Sequence, residues 1–295
     1  MLLLTILPYT LLLCFYKGVN GDEQPNLSLL PQECGFIDGE GVTDSKYAKL
    51  YEFPWMVLIN RIARDGGRHF ACSGTVINER YVLTAAHCVE VARLNLVRVG
   101  DYDIQQEVDC EGQGPTLLCE DQFQDISIDE TIIHENYSSN GRVTNDIALL
   151  RLSTPIDFSH KNAAPVCLPT TTEMREKSLT GEEAIVSGWE IKTNGTPSKM
   201  LKMKTPIRKN DQCSEGMHGA FDPQSKAICT GGVEGVCPML SGSSLMLPYA
   251  VKENQYRYIQ YGIMSHGTLG CNSDQNNVYT DVSKYMDWIL TKLKA

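Results

Sequence analysis

From Phe53 onward, short runs of β-branched, aromatic and other apolar residues alternate with turn residues. Trp55-Met-Val-Leu-Ile59, Gly74-Thr-Val-Ile77, Tyr81-Val-Leu83 and Asn95-Leu-Val-Arg-Val99 read as strands in the first half of the chain. Ala184-Ile-Val186, Leu201-Lys-Met-Lys204, Tyr258-Ile-Gln-Tyr-Gly-Ile263 and Asn277-Val-Tyr-Thr280 do so in the second. Many short strands with frequent turns predict an all-β protein, a sandwich or a pair of barrels. One helix is predicted at the C-terminus, where Val282, Tyr285, Ile289, Leu290 and Leu293 recur at helical spacing behind Ser283 as N-cap.

Two stretches break this pattern. Asp22 to Lys49 is polar, rich in Gly, Pro and Asp, and without period; it reads as an extended arm, tethered if Cys34 finds a partner. Asp101 to Asp129 is long and acidic, and Cys110 and Cys119 bracket its middle as a staple. Its acids (Glu107, Asp109, Glu111, Glu120, Asp121) are a candidate calcium site, but no EF-hand spacing is present and a solvated loop is the simpler reading. No metal and no other cofactor is expected.

Composition narrows the class. Hydrophobic residues make up 42% of 295, enough for a sizeable core. The net charge of −10 argues against nucleic acid or an anionic membrane as partner, since both call for a cationic face. Met1 to Tyr16 is almost wholly apolar and short for a membrane span; with Val19-Asn-Gly21 after it, residues 1–21 read as a signal peptide, the alternative being a membrane anchor. Without them, 25 basic and 36 acidic residues leave −11. Of eleven cysteines, Cys14 leaves with that peptide, and an even set remains, as an oxidising compartment favours. Sequons at Asn26, Asn136 and Asn194 fit the same secreted, extracellular reading.

Three segments carry candidate chemistry: Thr84-Ala-Ala-His87-Cys88, Asn145-Asp146-Ile-Ala-Leu-Leu150, and Cys237-Pro-Met-Leu-Ser241-Gly-Ser-Ser-Leu245. In this order they resemble the histidine, aspartate and serine motifs of the chymotrypsin-like serine proteases. The resemblance runs from about Val42 to the C-terminal helix. Glu52-Phe-Pro-Trp-Met56, the Cys110/Cys119 loop, Pro165-Val-Cys-Leu-Pro169 and Ser283-Lys-Tyr-Met-Asp-Trp-Ile289 are similar to the protease part of insect clip-domain enzymes. A clip domain itself needs six cysteines, and only Cys34 precedes Val42 once Cys14 is removed. The expected organisation is therefore a signal peptide at 1–21, an extension at 22–41 and a peptidase-like domain at 42–295.

The resemblance implies two antiparallel β-barrels of the chymotrypsin type with a C-terminal helix. It also implies the disulfides Cys72–Cys88, Cys213–Cys229, Cys237–Cys271, Cys110–Cys119 and Cys34–Cys167. His87 is implied as general base, Asp146 as its orienting carboxylate and Ser241 as nucleophile. The backbone N–H groups of Met239 and Ser241 are implied as the oxyanion hole. Gly235, Ser265, Gly267 and Asn277 are implied at the specificity pocket.

Several positions depart from the family pattern. Met239 stands where the family has glycine, and a Cβ in a φ > 0 conformation costs about 1–2 kcal/mol. Leu240 replaces the aspartate that pairs with the new N-terminus after activation cleavage. Gly41-Val42-Thr43-Asp44-Ser45 aligns with the activation site but has no basic residue before Val42. Gly235 replaces the pocket aspartate of trypsin-like enzymes, and Asn277 replaces a pocket glycine, its side chain expected to occlude the floor. The pattern leads to a secreted serine-protease homologue of little or no activity that binds extracellular proteins: a protease, a zymogen or an inhibitor. The alternative is an endopeptidase with unusual activation and specificity. A structural or carbohydrate-binding module has no signal beyond the sequons.

Overall fold

A computed structural model describes residues 26–37, 45–62, 68–90, 93–140, 142–191, 197–216, 225–232, 241–252, 255–267 and 276–295. The first half contributes β1 (Met56–Ile62), β2 (Arg68–Asn78), β3 (Tyr81–Thr84), β4 (Arg93–Val99), the short pair β5 (Cys110–Glu111) and β6 (Leu118–Cys119), β7 (Gln124–Ile133) and β8 (Ala148–Leu152). The second contributes β9 (Glu183–Ile191), β10 (Pro197–Arg208), β11 (Ala227–Gly231), β12 (Ser244–Lys252), β13 (Gln255–Gly267) and β14 (Asn276–Asp281). Helices are few: α1 (Thr172–Glu176), α2 (Asn210–Gly216) and α3 (Met286–Lys292).

Strands β1-β2-β3-β8-β7-β4 close into one antiparallel barrel and β10-β11-β14-β13-β12-β9 into a second. This is the predicted pair of barrels. β3 is buried along its whole length, so its sequence reads as a continuous apolar run. β7 keeps exposed positions throughout and carries the polar Asp125, Asp129 and Glu130. The first barrel and the segments around it share one apolar cluster with α3, including the fully buried Trp55, Leu83, Leu149 and Ile289. Each such side chain contributes about 1.5–3 kcal/mol by leaving water.

The predicted C-terminal helix forms, with one correction at its start. A 3-10 turn over Val282–Tyr285 precedes α3, and the cap is Asp281 rather than Ser283. Asp281 Oδ1 accepts from both the backbone N–H and the hydroxyl of Ser283, which makes Ser283 a donor and not the capping acceptor.

Four disulfides are described: Cys34–Cys167, Cys72–Cys88, Cys110–Cys119 and Cys213–Cys229. Cys237 and Cys271 lie outside the described residues, as does Asn194. The arm is tethered at more than Cys34. Gly35 exchanges backbone hydrogen bonds with Tyr258 and Pro165, and Arg257 donates to Gln32 O at 2.6 Å while lying over the Phe36 ring.

The acidic loop is more than a solvated excursion. Asp109 Oδ2 accepts the N–H groups of Tyr102 and Asp103, Glu120 accepts from Tyr51 N, and Glu111 from Leu50 N. These carboxylates serve as acceptors for backbone that no strand pairs. Burial pushes Asp101 up to about 6 and Glu120 up to about 8. A carboxyl raised in the folded state holds a proton that the unfolded chain has released, so stability falls as pH rises from the ordinary carboxylate range toward 8. His134 and His266, both lowered by burial, act in the opposite sense. The difference between proteins is therefore the useful measurement. The double variant Asp101→Asn, Glu120→Gln is expected to gain on the parent in urea midpoint between pH 5 and pH 8. An unchanged gap across that range contradicts the assignment.

Candidate active site

His87 sits in a 3-10 turn, Ala86–Cys88, directly after β3. The turn is fixed from below: Ala85 and Ala86 are fully buried, and the Cys72–Cys88 disulfide ties it to β2. Thr84 Oγ1 donates to Ser73 O at 2.8 Å, which fixes the strand end. The imidazole remains about one-third exposed.

Asp146 lies one residue before the buried approach to β8 and is itself 2% exposed. Its Oδ2 is 2.8 Å from His87 Nδ1, and its Oδ1 accepts from His87 N at 2.9 Å. The second barrel supplies two more contacts. Ser265 Oγ donates to Oδ2 at 2.5 Å, and Thr280 Oγ1 donates to the backbone carbonyl at 2.8 Å. Burial alone raises this carboxyl, but the hydrogen bonds and charge of His87, with Ser265, outweigh it and hold it below the ordinary range. A depressed carboxylate adds stability at neutral pH that is lost as pH falls through its folded value. Asn145, just before it, adopts φ 51°, donates from Nδ2 to Asn136 O and accepts from Tyr285 Oη.

Ser241 enters from the second barrel, immediately before β12. Its carbonyl accepts from Ser73 N at 2.8 Å and from Ser73 Oγ at 3.2 Å. Gly242 follows at φ 86°, and a Cβ there would lie 2.0 Å from Ser73 O, so only glycine fits. Gly242 N donates to Met264 O and Met264 N to Ser243 O. The C-terminal side of the serine is thus pinned to both barrels. Among the described residues no hydrogen bond joins Ser241 Oγ to His87; the contact recorded for His87 Nε2 is Cys88 Sγ at 3.8 Å.

Positions expected at the specificity pocket divide. Ser265 gives its hydroxyl to Asp146. Gly267 pairs in register with Asn277, and the Asn277 carboxamide covers it: a Cβ on Gly267 would lie 2.3 Å from Asn277 Oδ1. The neighbouring Asn276 Oδ1 accepts from Arg208 Nη1, and the Arg208 guanidinium lies against Gly231. Gly235, Met239 and Leu240 lie outside the described residues, as do positions 41–44 of the activation segment.

Sequence reasoning missed Thr280, Ser73 and His266. The first two are polar residues inside apolar strand runs, a signal for a buried hydroxyl with a specific partner. His266 borders a cavity of about 230 Å³ beside Asp146, with Val143, Lys226 and Tyr285. Burial lowers its pKa against the pull of Asp146, and its Nε2 is buried without a partner. A metal finds no place at His87. Among the described residues one group of metal-binding atoms is close enough, Cys72, His87 and Cys88, and both thiols are spent in the disulfide.

Two barrels with a histidine and an aspartate from one and a serine from the other define the serine-peptidase class of site. The trypsin family matches residues 42–289, and the chain belongs to that family. It is 36% identical over 278 residues to phenoloxidase-activating factor 3 of Holotrichia diomphalia, covering 91% of this chain and 77% of that one. It is 35% identical to the CLIP domain-containing serine protease HP8 of Bombyx mori, over 90% of this chain and 74% of that one. The crystal structure of the Drosophila Grass clip serine protease of the Toll pathway superposes with a TM-score of 0.77 at 32% identity, covering 89% of this chain and 76% of that chain. Among the described residues no helix is long and apolar enough to cross a membrane.

Proposed function

We propose that this chain is a secreted serine-protease homologue with little or no peptidase activity, acting by binding within an extracellular protease cascade. The observation that carries the reading is the sequence Met239-Leu240 before Ser241, together with Gly41 before Val42. The first replaces the glycine of the oxyanion hole; the second and third remove both halves of the activation latch. One damaged position is a lesion. Coordinated loss on both sides of one switch is a change of role. Asn277 lying across Gly267 supports it, since its carboxamide takes space beside the implied pocket wall.

The partner class follows from kinship: a protease, a zymogen or an inhibitor, recognised by a surface of protease shape and acidic charge. Relatives named as phenoloxidase-activating factors and as a protease of the Toll pathway support a place in such a cascade. A second reading, an active endopeptidase, draws on the 2.8 Å bond between His87 and Asp146, the contact that in such enzymes orients the imidazole and stabilises its charged form.

A fluorophosphonate probe separates the two. The mature protein is expected to remain unlabelled at Ser241 under conditions that label trypsin fully. Stoichiometric labelling, abolished in Ser241→Ala, would sink the inactive reading.

A further inference from the structure

The two described sequons are both exposed, and they differ in what their side-chain amides bond. Asn26 opens the arm at φ 64°, and its side-chain Nδ2 donates to Leu290 O at 3.0 Å and to Leu293 O at 3.1 Å. Those carbonyls belong to the last turn and cap of α3, where a helix runs out of its own donors. The amide therefore spends both of its N–H bonds as a C-terminal cap supplied from the other end of the chain. The following turn continues the attachment, with Asn78 Nδ2 donating to Leu29 O at 3.0 Å.

Asn136 is the reverse. Its backbone is held, with N donating to His134 Nδ1 at 3.2 Å and O accepting from Asn145 Nδ2 at 2.8 Å. Its side chain is exposed and, among the described residues, has no hydrogen-bond partner. The next residue, Tyr137, donates to Glu90, three residues beyond His87. The turn carrying Asn136 thus stands between the His87 turn and the loop that ends in Asp146.

We propose that Asn136 is the modified position of this pair and bears an N-linked glycan beside the His87 turn, whereas Asn26 stays unmodified and serves as a latch closing the arm onto α3. The proposal rests on passage through a secretory compartment. The donor there is a polyprenyl-diphosphate-linked oligosaccharide. Asn136 Nδ2 forms the new bond to the anomeric carbon, the carbon–oxygen bond to the diphosphate breaks with its electron pair, and the amide releases one proton. The same bond on Asn26 Nδ2 would leave one N–H where the latch uses two. A glycan there would remove one of the two bonds that close the arm onto α3.

The test is occupancy mapping on the full chain secreted from insect cells, using peptide N-glycosidase in heavy-oxygen water followed by mass spectrometry. Asn136 is expected to carry the label and Asn26 to carry none. Asn136→Gln should lose one glycan mass, while Asn26→Gln should lose none. Asn26→Ala should lower the melting temperature by about 2–6 °C through its two hydrogen bonds. A glycan on Asn26, an unoccupied Asn136, or an unchanged melting temperature overturns the proposal. Placing residues 22–295 behind an unrelated secretion signal distinguishes the two layers. Failure of the natural leader alone overturns the secretion reading, and occupancy is still read.

Discussion

Replacing Met239 with glycine is expected to speed the labelling of Ser241 by a fluorophosphonate about 10²–10³-fold, the usual worth of one oxyanion-hole donor. Ser73 holds the Ser241 carbonyl, and Gly242 is wedged against Ser73 O, so the serine cannot adjust from its C-terminal side. The N–H two positions before the serine must then supply the missing donor. A Cβ at 239 disfavours a φ > 0 conformation there, and glycine removes that penalty. Met239→Ala is the control: it deletes the thioether but keeps the Cβ, and it should leave the rate unchanged. Equal acceleration by alanine would show that bulk rather than backbone conformation holds the site off. No acceleration by glycine would move the cause to the pocket, where Asn277 covers Gly267.

The second large effect concerns stability. Lys202→Ala is expected to cost about 3–5 kcal/mol, the toll of leaving one buried charge without its partner. Lys202 Nζ donates to both oxygens of Glu52 at 2.6 and 2.7 Å, and the two side chains are 1% and 4% exposed. For a domain of this size that loss lowers the melting temperature by roughly 6–20 °C. The double variant Glu52→Leu, Lys202→Met should recover most of it, because apolar residues of similar volume need no desolvation. Calorimetry on the three proteins decides. A single variant within about 1 kcal/mol of the parent would mean that water reaches the pair.

That ion pair also marks where the sequence stops being readable. Leu201-Lys-Met-Lys204 alternates like a strand with one wet face, yet Lys202 is buried. The chain at 46–48 pairs along the edge of β10, with Lys202 N donating to Lys46 O and Ala48 N to Met200 O, and Glu52 just beyond it meets the Lys202 side chain. That segment and Glu52 lie some 150 residues away in the chain, so no local pattern records them. The barrels themselves were legible, because strands such as Tyr81–Thr84 are short apolar runs punctuated by turns. His87 and Asp146 were legible as motifs, and their meeting follows from β3 pairing with β8. Ser265 was placed on a pocket wall because the motif fixes its position and not the direction of its hydroxyl. Asp109 reads as a loop acid in sequence because the two N–H groups it serves, on Tyr102 and Asp103, become neighbours only when the loop folds back.

The junction of the arm with α3 has a mechanical consequence. Tension applied between Asn26 and the C-terminal helix would first strain the Asn26 side-chain bonds to Leu290 and Leu293. Once they part, the load passes to Leu29 and Gln32, held by Asn78 and Arg257, and stops at the Cys34–Cys167 bond. Neither barrel is sheared on that path. The arm behaves as a peelable flap with a covalent stop, and extension arrests before Gly35 and Phe36 part from β13.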